Sequence, residues 1–296
     1  MKKLTRRFLK RKTAVAGIVI VVLMVMVAIL APVLAPMSPQ TQDLRSRLKG
    51  PGFVDAAGTH LLGTDQLGRD VLSRLIIGAR LSLTVGVSAV LLGGTVGLLI
   101  GLVSGYVGGW ADSVLMRFID MQLAFPFLLL ALTIVAVLGP NVRNVVIVLA
   151  ITSWTAYAKV VRSATLAVKN QVFVEAAQAI GAPHLRIMLR HILPNIISPF
   201  IVVATFQVSR LIIAESSLSF LGLGVPTTIP TWGGMLSDGR EYLVDAWWIA
   251  VFPGFMLMLA SLSINLFGDG LRDALDPKHI DEAGPGASAE PAQSRP

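Results

Sequence analysis

The side chains that could do chemistry are few and unevenly placed. Glu175, His184, Arg186, Arg190 and His191 share one short stretch, VFVEAAQAIGAPHLRIMLRHILPN (172–195), between two strongly apolar runs. Arg210 and Glu215 stand inside the second of those runs, and Asp269, Asp273 and Asp276 gather near the end of the chain with Arg272 among them. The four His residues (60, 184, 191 and 279) are scattered without metal-ligand spacing, so no metal centre is expected. The three late aspartates read as surface charges at a helix end. With no Cys, disulfides, zinc fingers, iron–sulfur sites and thiol catalysis are excluded. A phosphate loop G-x-x-x-x-G-K-[ST] is also missing; GLGVP and GTDQLG are Gly-containing turns without the Lys. No catalytic set and no bound cofactor are expected, so any nucleotide chemistry must come from a partner.

The elements that position these residues are membrane helices. Of the 296 residues 54% are hydrophobic and only 14% charged, against about 25% charged in a soluble domain. The net charge is +8, but seven of the 25 Lys and Arg lie in MKKLTRRFLKRK at the start. That cluster reads as a topogenic signal beside the first span, not as a nucleic-acid site. The charge-free run behind it is too long for a cleavable signal and reads as an anchor.

Runs long enough to cross a bilayer fall at about 13–35, 81–107, 120–139, 144–163, 196–222 and 246–268. The second is rich in Gly (86, 93, 94, 97, 101 and 105), which suits close helix packing. The third contains Pro126, and the sixth opens with Trp247 and Trp248, which suit an interface. The expected fold is an all-α integral membrane protein of six transmembrane helices with both termini cytoplasmic. Its parts are a basic cytoplasmic N-terminus (1–12), the first helix (13–35), an extracytoplasmic segment (36–80), a five-helix core (81–270) and a cytoplasmic, partly disordered tail (271–296). The outer segment carries six Lys and Arg, which fits that topology poorly.

The polar stretch then lies on the cytoplasmic side, as an elbow over 170–195 between the fourth and fifth spans. Residues 172–180 favour helix, Gly181 can close it in the left-handed conformation, and Pro183 can open the next helix, 184–192. Leu193 and Pro194 would mark the return into the membrane. Ala176, Ala177, Ala179 and Ala182 keep the surface thin, Glu175 offers a negative charge, and Arg186 and Arg190 share a helical face. On composition alone, a surface gripped by a partner and a helix lying on headgroups are equally open.

The stretch resembles the coupling motif of binding-protein-dependent ABC importer permeases, which runs Glu-Ala-Ala, three residues, Gly, nine residues, Ile, one residue, Leu-Pro. Glu175, Ala176, Ala177, Gly181, Leu193 and Pro194 fall at the matching positions, and His191 stands where the motif has Ile. HLLGTDQLGRDVLSRLIIGARLSL (60–83), ESSLSFLGLGVPTTIPTWGGMLSDGREYL (215–243) and NLFGDGLRDALDPK (265–278) resemble segments of the dipeptide, oligopeptide and nickel branch. The resemblance implies a cell-membrane permease subunit that moves peptides, or nickel complexes or glutathione. It implies a second homologous permease, two cytoplasmic ATPases that hold ATP and magnesium, and an extracytoplasmic solute-binding protein. ATPase coupling would fall to Glu175, Ala176, Ala177, Gly181, Arg186, Arg190, Leu193 and Pro194.

Other residues carry two readings each. Arg210 and Glu215 line the pathway or contact another helix or the sister subunit, the second being preferred; five residues apart, they cannot face each other on a straight helix. Asp65, Arg69, Asp70, Arg74 and Arg80 form a solvated face, with Asp70 and Arg74 able to pair, or a binding-protein contact. Trp232, Gly233 and Gly234 cap the pathway mouth or anchor at the interface. An ion-coupled secondary transporter would show related halves with midplane charges; Arg210 and Glu215 fit that in part, but no matching halves are visible.

Overall fold

The computed structural model describes residues 11–226 and 228–275. The basic run before Arg11 and most of the tail expected to be disordered lie outside the described residues. Helix α1, Lys12–Leu34, is charge-free beyond its first residue and buries Ala14, Gly17, Met24, Ala28 and Ala31 along one side. That side packs on the last helix, α9 (Trp248–Leu275), where a Cβ on Gly17 would stand 2.8 Å from Leu266 Cβ.

Helix α2 spans Val71–Val107, starting ten residues before the expected boundary. Asp70 explains the earlier start: its carboxylate accepts the Ser73 N–H at 2.7 Å, an N-cap that satisfies one orphan donor of the first turn. Gly93, Gly97, Gly101 and Gly105 recur every fourth residue and so form one ridge. They meet the backbone of α5, Val142–Lys169, so closely that a Cβ on Gly93 would lie 2.9 Å from Ala150 O and one on Gly101 2.5 Å from Ala158 O. In lipid, where no hydrophobic drive pushes helices together, such close approach is what holds a pair.

The expected third span is not one rod. It is α3, Gly109–Leu123, and α4, Phe127–Leu138, bent by 87° at the break. Pro126 lacks an N–H and pushes Phe125 away from helical geometry, and α3 carries Asp112, Arg117 and Asp120. Among the described residues, five helices are long and apolar enough to cross a bilayer, and the bent pair makes a sixth if counted as one broken span.

The elbow begins with α6, Val172–Ala179. The next helix does not end at Leu193. It continues as α7, His184–Phe220, with a wide turn at Ile187–Ile192. Leu193 N–H reaches back five residues to Met188 O, so the chain absorbs Pro194 without a break. The expected return point at Leu193 and Pro194 is therefore inside a continuous helix. Helix α8, Trp232–Gly239, is capped by Thr231, whose hydroxyl accepts the Gly234 N–H at 3.0 Å.

Between α1 and α2 the chain is not purely helical. A two-stranded antiparallel hairpin pairs β1, Phe53–Asp55, with β2, Gly58–His60. This hairpin and its flanking turns form a cap over the ends of α2, α8 and α9.

Candidate functional site

Two charged regions stand at opposite ends of α2. At one end, α6 and the start of α7 form a rigid hook. The turn between them has Gly181 at φ +76°, with Ala182 N–H bonded to Ala177 O (3.1 Å) and Gly181 N–H to Gln178 O (2.9 Å). These two bonds close the end of α6 as a Schellman motif. The inward side of the hook packs Val174, Ala177, Ile187 and Ile192 against Leu102 and Tyr106 of α2 and Val161 of α5. A polar tie adds to this: Tyr106 Oη and His184 Nδ1 lie 2.8 Å apart, and Lys169 Nζ donates to Tyr106 O at 2.6 Å.

The outward side is different. Glu175, Ala176, Gly181, Arg186, Arg190 and Pro194 are exposed, with Ile180 at 85% and Leu185 at 63%. Among the described residues, no ion pair engages Glu175, Arg186 or Arg190. Ala177 and Leu193 point the other way, into the core. The eight coupling candidates thus split into six on the outer surface and two that fix the hook to the helices beneath. Tyr106 and Lys169, which complete that attachment, have no local signal in the sequence.

At the other end, Asp65, Arg69, Asp70 and Arg74 are buried, which overturns the solvated-face expectation. Arg69 Nε donates to Asp65 Oδ2 at 2.6 Å, and Arg74 Nε lies 3.4 Å from the same oxygen. Both guanidinium groups also reach Asp238 on α8, at 3.3 and 3.4 Å. Asp70 does not pair with Arg74; its carboxylate faces His60 Nδ1 at 3.0 Å, while His60 Nε2 faces Asp55 at 3.1 Å. Ser46 Oγ lies 2.8 Å from Asp43 and 2.9 Å from Asp55. Having one proton, it serves one carboxylate at a time. This hydroxyl is the main cause that holds both carboxyls below their usual range. Arg80 is exposed and belongs to neither network.

The tryptophans are bolts. Trp232 is fully buried and donates Nε1–H to Leu75 O at 3.1 Å; Trp248 donates to Thr64 O at 3.1 Å. Trp232 is therefore a packing residue of the cap and not an exposed side chain. Of the pair expected at the interface, only Trp247 is substantially exposed.

Arg210 and Glu215 part company on α7. Glu215 is fully buried, with its carboxyl bonded by Ser219 Oγ at 2.7 Å and near Ser216 Oγ at 3.4 Å. Arg210 is exposed and lines a cavity of 290 Å³ beside the α3–α4 break. Asp273 pairs with Arg11. No three His, Asp or Glu of the described residues are placed to share a metal ion.

A family model described as binding-protein-dependent transport system inner membrane component matches residues 97–280. A second, described as the N-terminal TM domain of oligopeptide transport permease C, matches residues 1–51. The di/tripeptide transport system permease protein DppC of Pseudomonas aeruginosa (strain UCBPP-PA14) is 44% identical over 279 residues, covering 94% of this chain and 92% of the relative. The glutathione transport system permease protein GsiD of Escherichia coli O6:K15:H31 is 45% identical over 274 residues, covering 92% and 89%. Among solved structures, the inward-facing MetNI methionine ABC transporter superposes with a TM-score of 0.57 at 17% identity, covering 69% of this chain and 96% of that one. An amino acid ABC transporter with histidines gives 0.54 at 17% identity, covering 68% and 94%. At that identity the likeness is one of fold.

Proposed function

This chain belongs to the family of binding-protein-dependent transport system inner membrane components, and from that premise we propose that it forms a peptide pathway with a second permease and is driven by two ATPases through the hook at α6–α7. It is a multi-pass membrane permease subunit. Di- and tripeptides are the favoured cargo, because a relative that covers most of both chains is a di/tripeptide permease. Glutathione, itself a small peptide, is the second reading, supported by relatives of equal identity.

The observation that carries the coupling reading is the two-sidedness of the hook: charges and apolar side chains exposed outward, and a fixed attachment inward. A lever needs both. Glu175, in the first turn of α6, adds to the helix N-terminus the charge it favours. Arg186 and Arg190 offer positive charge beside it, and Ala176 and Gly181 let another backbone approach. Closure of the ATPases around ATP and magnesium would push on this surface. The displacement passes into α7, which is continuous for 37 residues, about 55 Å. At its far end Ser237 Oγ of α8 donates to Phe220 O at 2.8 Å, so α8 follows. The hook and both termini then face the cytoplasm, and the cap faces an extracytoplasmic binding protein that delivers the solute. No covalent step falls to this chain.

Copurification in mild detergent tests the reading. The wild-type chain should bring down a sister permease and two ATPase copies, and Glu175→Arg should keep the permease and lose the ATPases. A chain that comes alone in both cases sinks the coupling reading.

A further inference from the structure

Arg210 sits in a membrane-spanning helix without an acidic partner among the described residues. Ten residues separate it from the Phe220 end of α7, about 15 Å along the axis and half the depth of a bilayer core. Such a charge is kept only where it faces a wet cavity or finds a counter-ion. The acids of the neighbouring helices are committed elsewhere. Asp112 accepts both arms of Arg162 at 2.5 Å, Asp120 pairs with Lys159 at 3.0 Å, and Glu215 is held by serine hydroxyls about 140° around α7.

The cavity that Arg210 lines carries a second group in search of a partner. Gln207, one turn earlier, is only 6% exposed, and its side-chain amide makes no hydrogen bond with a described residue. An amide that lines the cavity and has no partner among the described residues keeps two N–H donors and one acceptor free for a ligand there. Phe127 and Leu128 line the same cavity. They are the first residues of α4, whose N-terminus no side chain caps, so its partial positive charge adds to that of the arginine. Guanidinium, amide N–H and helix terminus all favour an anion with several acceptor lone pairs.

The geometry points to a carboxylate site within the pathway, in which Arg210 and Gln207 hold the C-terminal carboxylate of the peptide in transit. This rests on the peptide reading given above and adds to it the end of the substrate that is recognised. Every di- or tripeptide carries this group whatever its side chains, so one fixed arginine serves a mixed cargo. Polar neighbours such as Thr155 and Ser217 keep the cavity wettable between passages.

The test uses the full complex in proteoliposomes, with its binding protein saturated by either tri-alanine or tri-alanine C-terminal amide. Initial ATP-dependent uptake is compared for wild type, Arg210→Gln, Arg210→Lys and Gln207→Leu. The wild type should favour the free acid. Arg210→Gln should cut acid uptake about tenfold or more, down to the amide's rate, while amide uptake stays within about twofold. Arg210→Lys should keep part of the preference, and Gln207→Leu should lose a smaller share of it. Three results overturn the site: acid and amide falling together in an intact complex, no change in either, or loss of the sister permease from the Arg210→Gln complex, which would make the arginine an inter-subunit ion pair. A wild-type complex that takes up neither peptide fails at an earlier point and overturns the peptide reading itself.

Discussion

The hook and the cap at the opposite end of α2 are built from the same kinds of residue and treat them in opposite ways. In the cap, Asp65, Arg69, Arg74 and Asp238 are drawn inside and paired within the chain. In the hook, Glu175, Arg186 and Arg190 are turned outward and left unpaired by the described residues. Buried charges cost desolvation that only their own partners repay, so the cap's charges are paired within the chain when it folds, with Arg74 Nη1 left without a partner among the described residues. The hook's charges are cheap in water and become useful when another surface arrives. Pairing, more than charge content, separates a structural cluster from a surface left open to a partner here.

Substitutions that leave one region whole while damaging the other test this contrast. The largest effect on folding belongs to Asp65→Ala, which leaves two buried guanidinium groups to Asp238 alone. A loss of about 3–5 kcal/mol is expected, the usual cost of breaking a buried pair from one side. Thermal unfolding of the purified chain would register it, and a loss below about 1 kcal/mol would mean that the network is not a stabilising one. Next comes Gly181→Ala. At φ +76° a Cβ costs about 1–2 kcal/mol, and hydrogen exchange should quicken in 172–186 while the α2–α5 pair stays protected.

Ser46→Ala should act through pH. The folded-state carboxyls of Asp43 and Asp55 are depressed mainly by this hydroxyl, so its contribution is present above the usual carboxylate range and fades as they protonate. The stability gap between wild type and variant should be open at neutral pH and close below about pH 4. Least visible in folding should be Arg186→Ala with Arg190→Ala. Stability should stay within about 0.5 kcal/mol, as for unpaired surface charges, while ATP-dependent uptake falls. An unfolding midpoint that drops with uptake would erase the distinction between the two regions.

The hook's outline was readable because its punctuation is local: Gly181 and Pro183 mark the turn wherever the rest of the chain goes. The glycine ridge of α2 was readable for the same reason. What escaped the sequence depends on distant partners. Arg69 meets Asp238 across 169 residues, and nothing near either one signals that both are buried. The bend between α3 and α4 was hinted at by Pro126, yet its angle follows from packing. The passage of α7 through Pro194 was hidden too, since a proline there ordinarily marks a beginning.

That passage fixes a phase angle. A turn that reaches back five residues holds one more residue than an α-turn, which offsets everything beyond Leu193 by about 100° relative to an unbroken helix leaving the hook. Gln207, Arg210 and Ser217 face their cavity only at this offset. If the helix transmits motion as proposed, it is a shaft with a key cut at one place, and the timing between its two ends is stored in a residue count. Removing one residue from that turn would leave both ends intact and out of step.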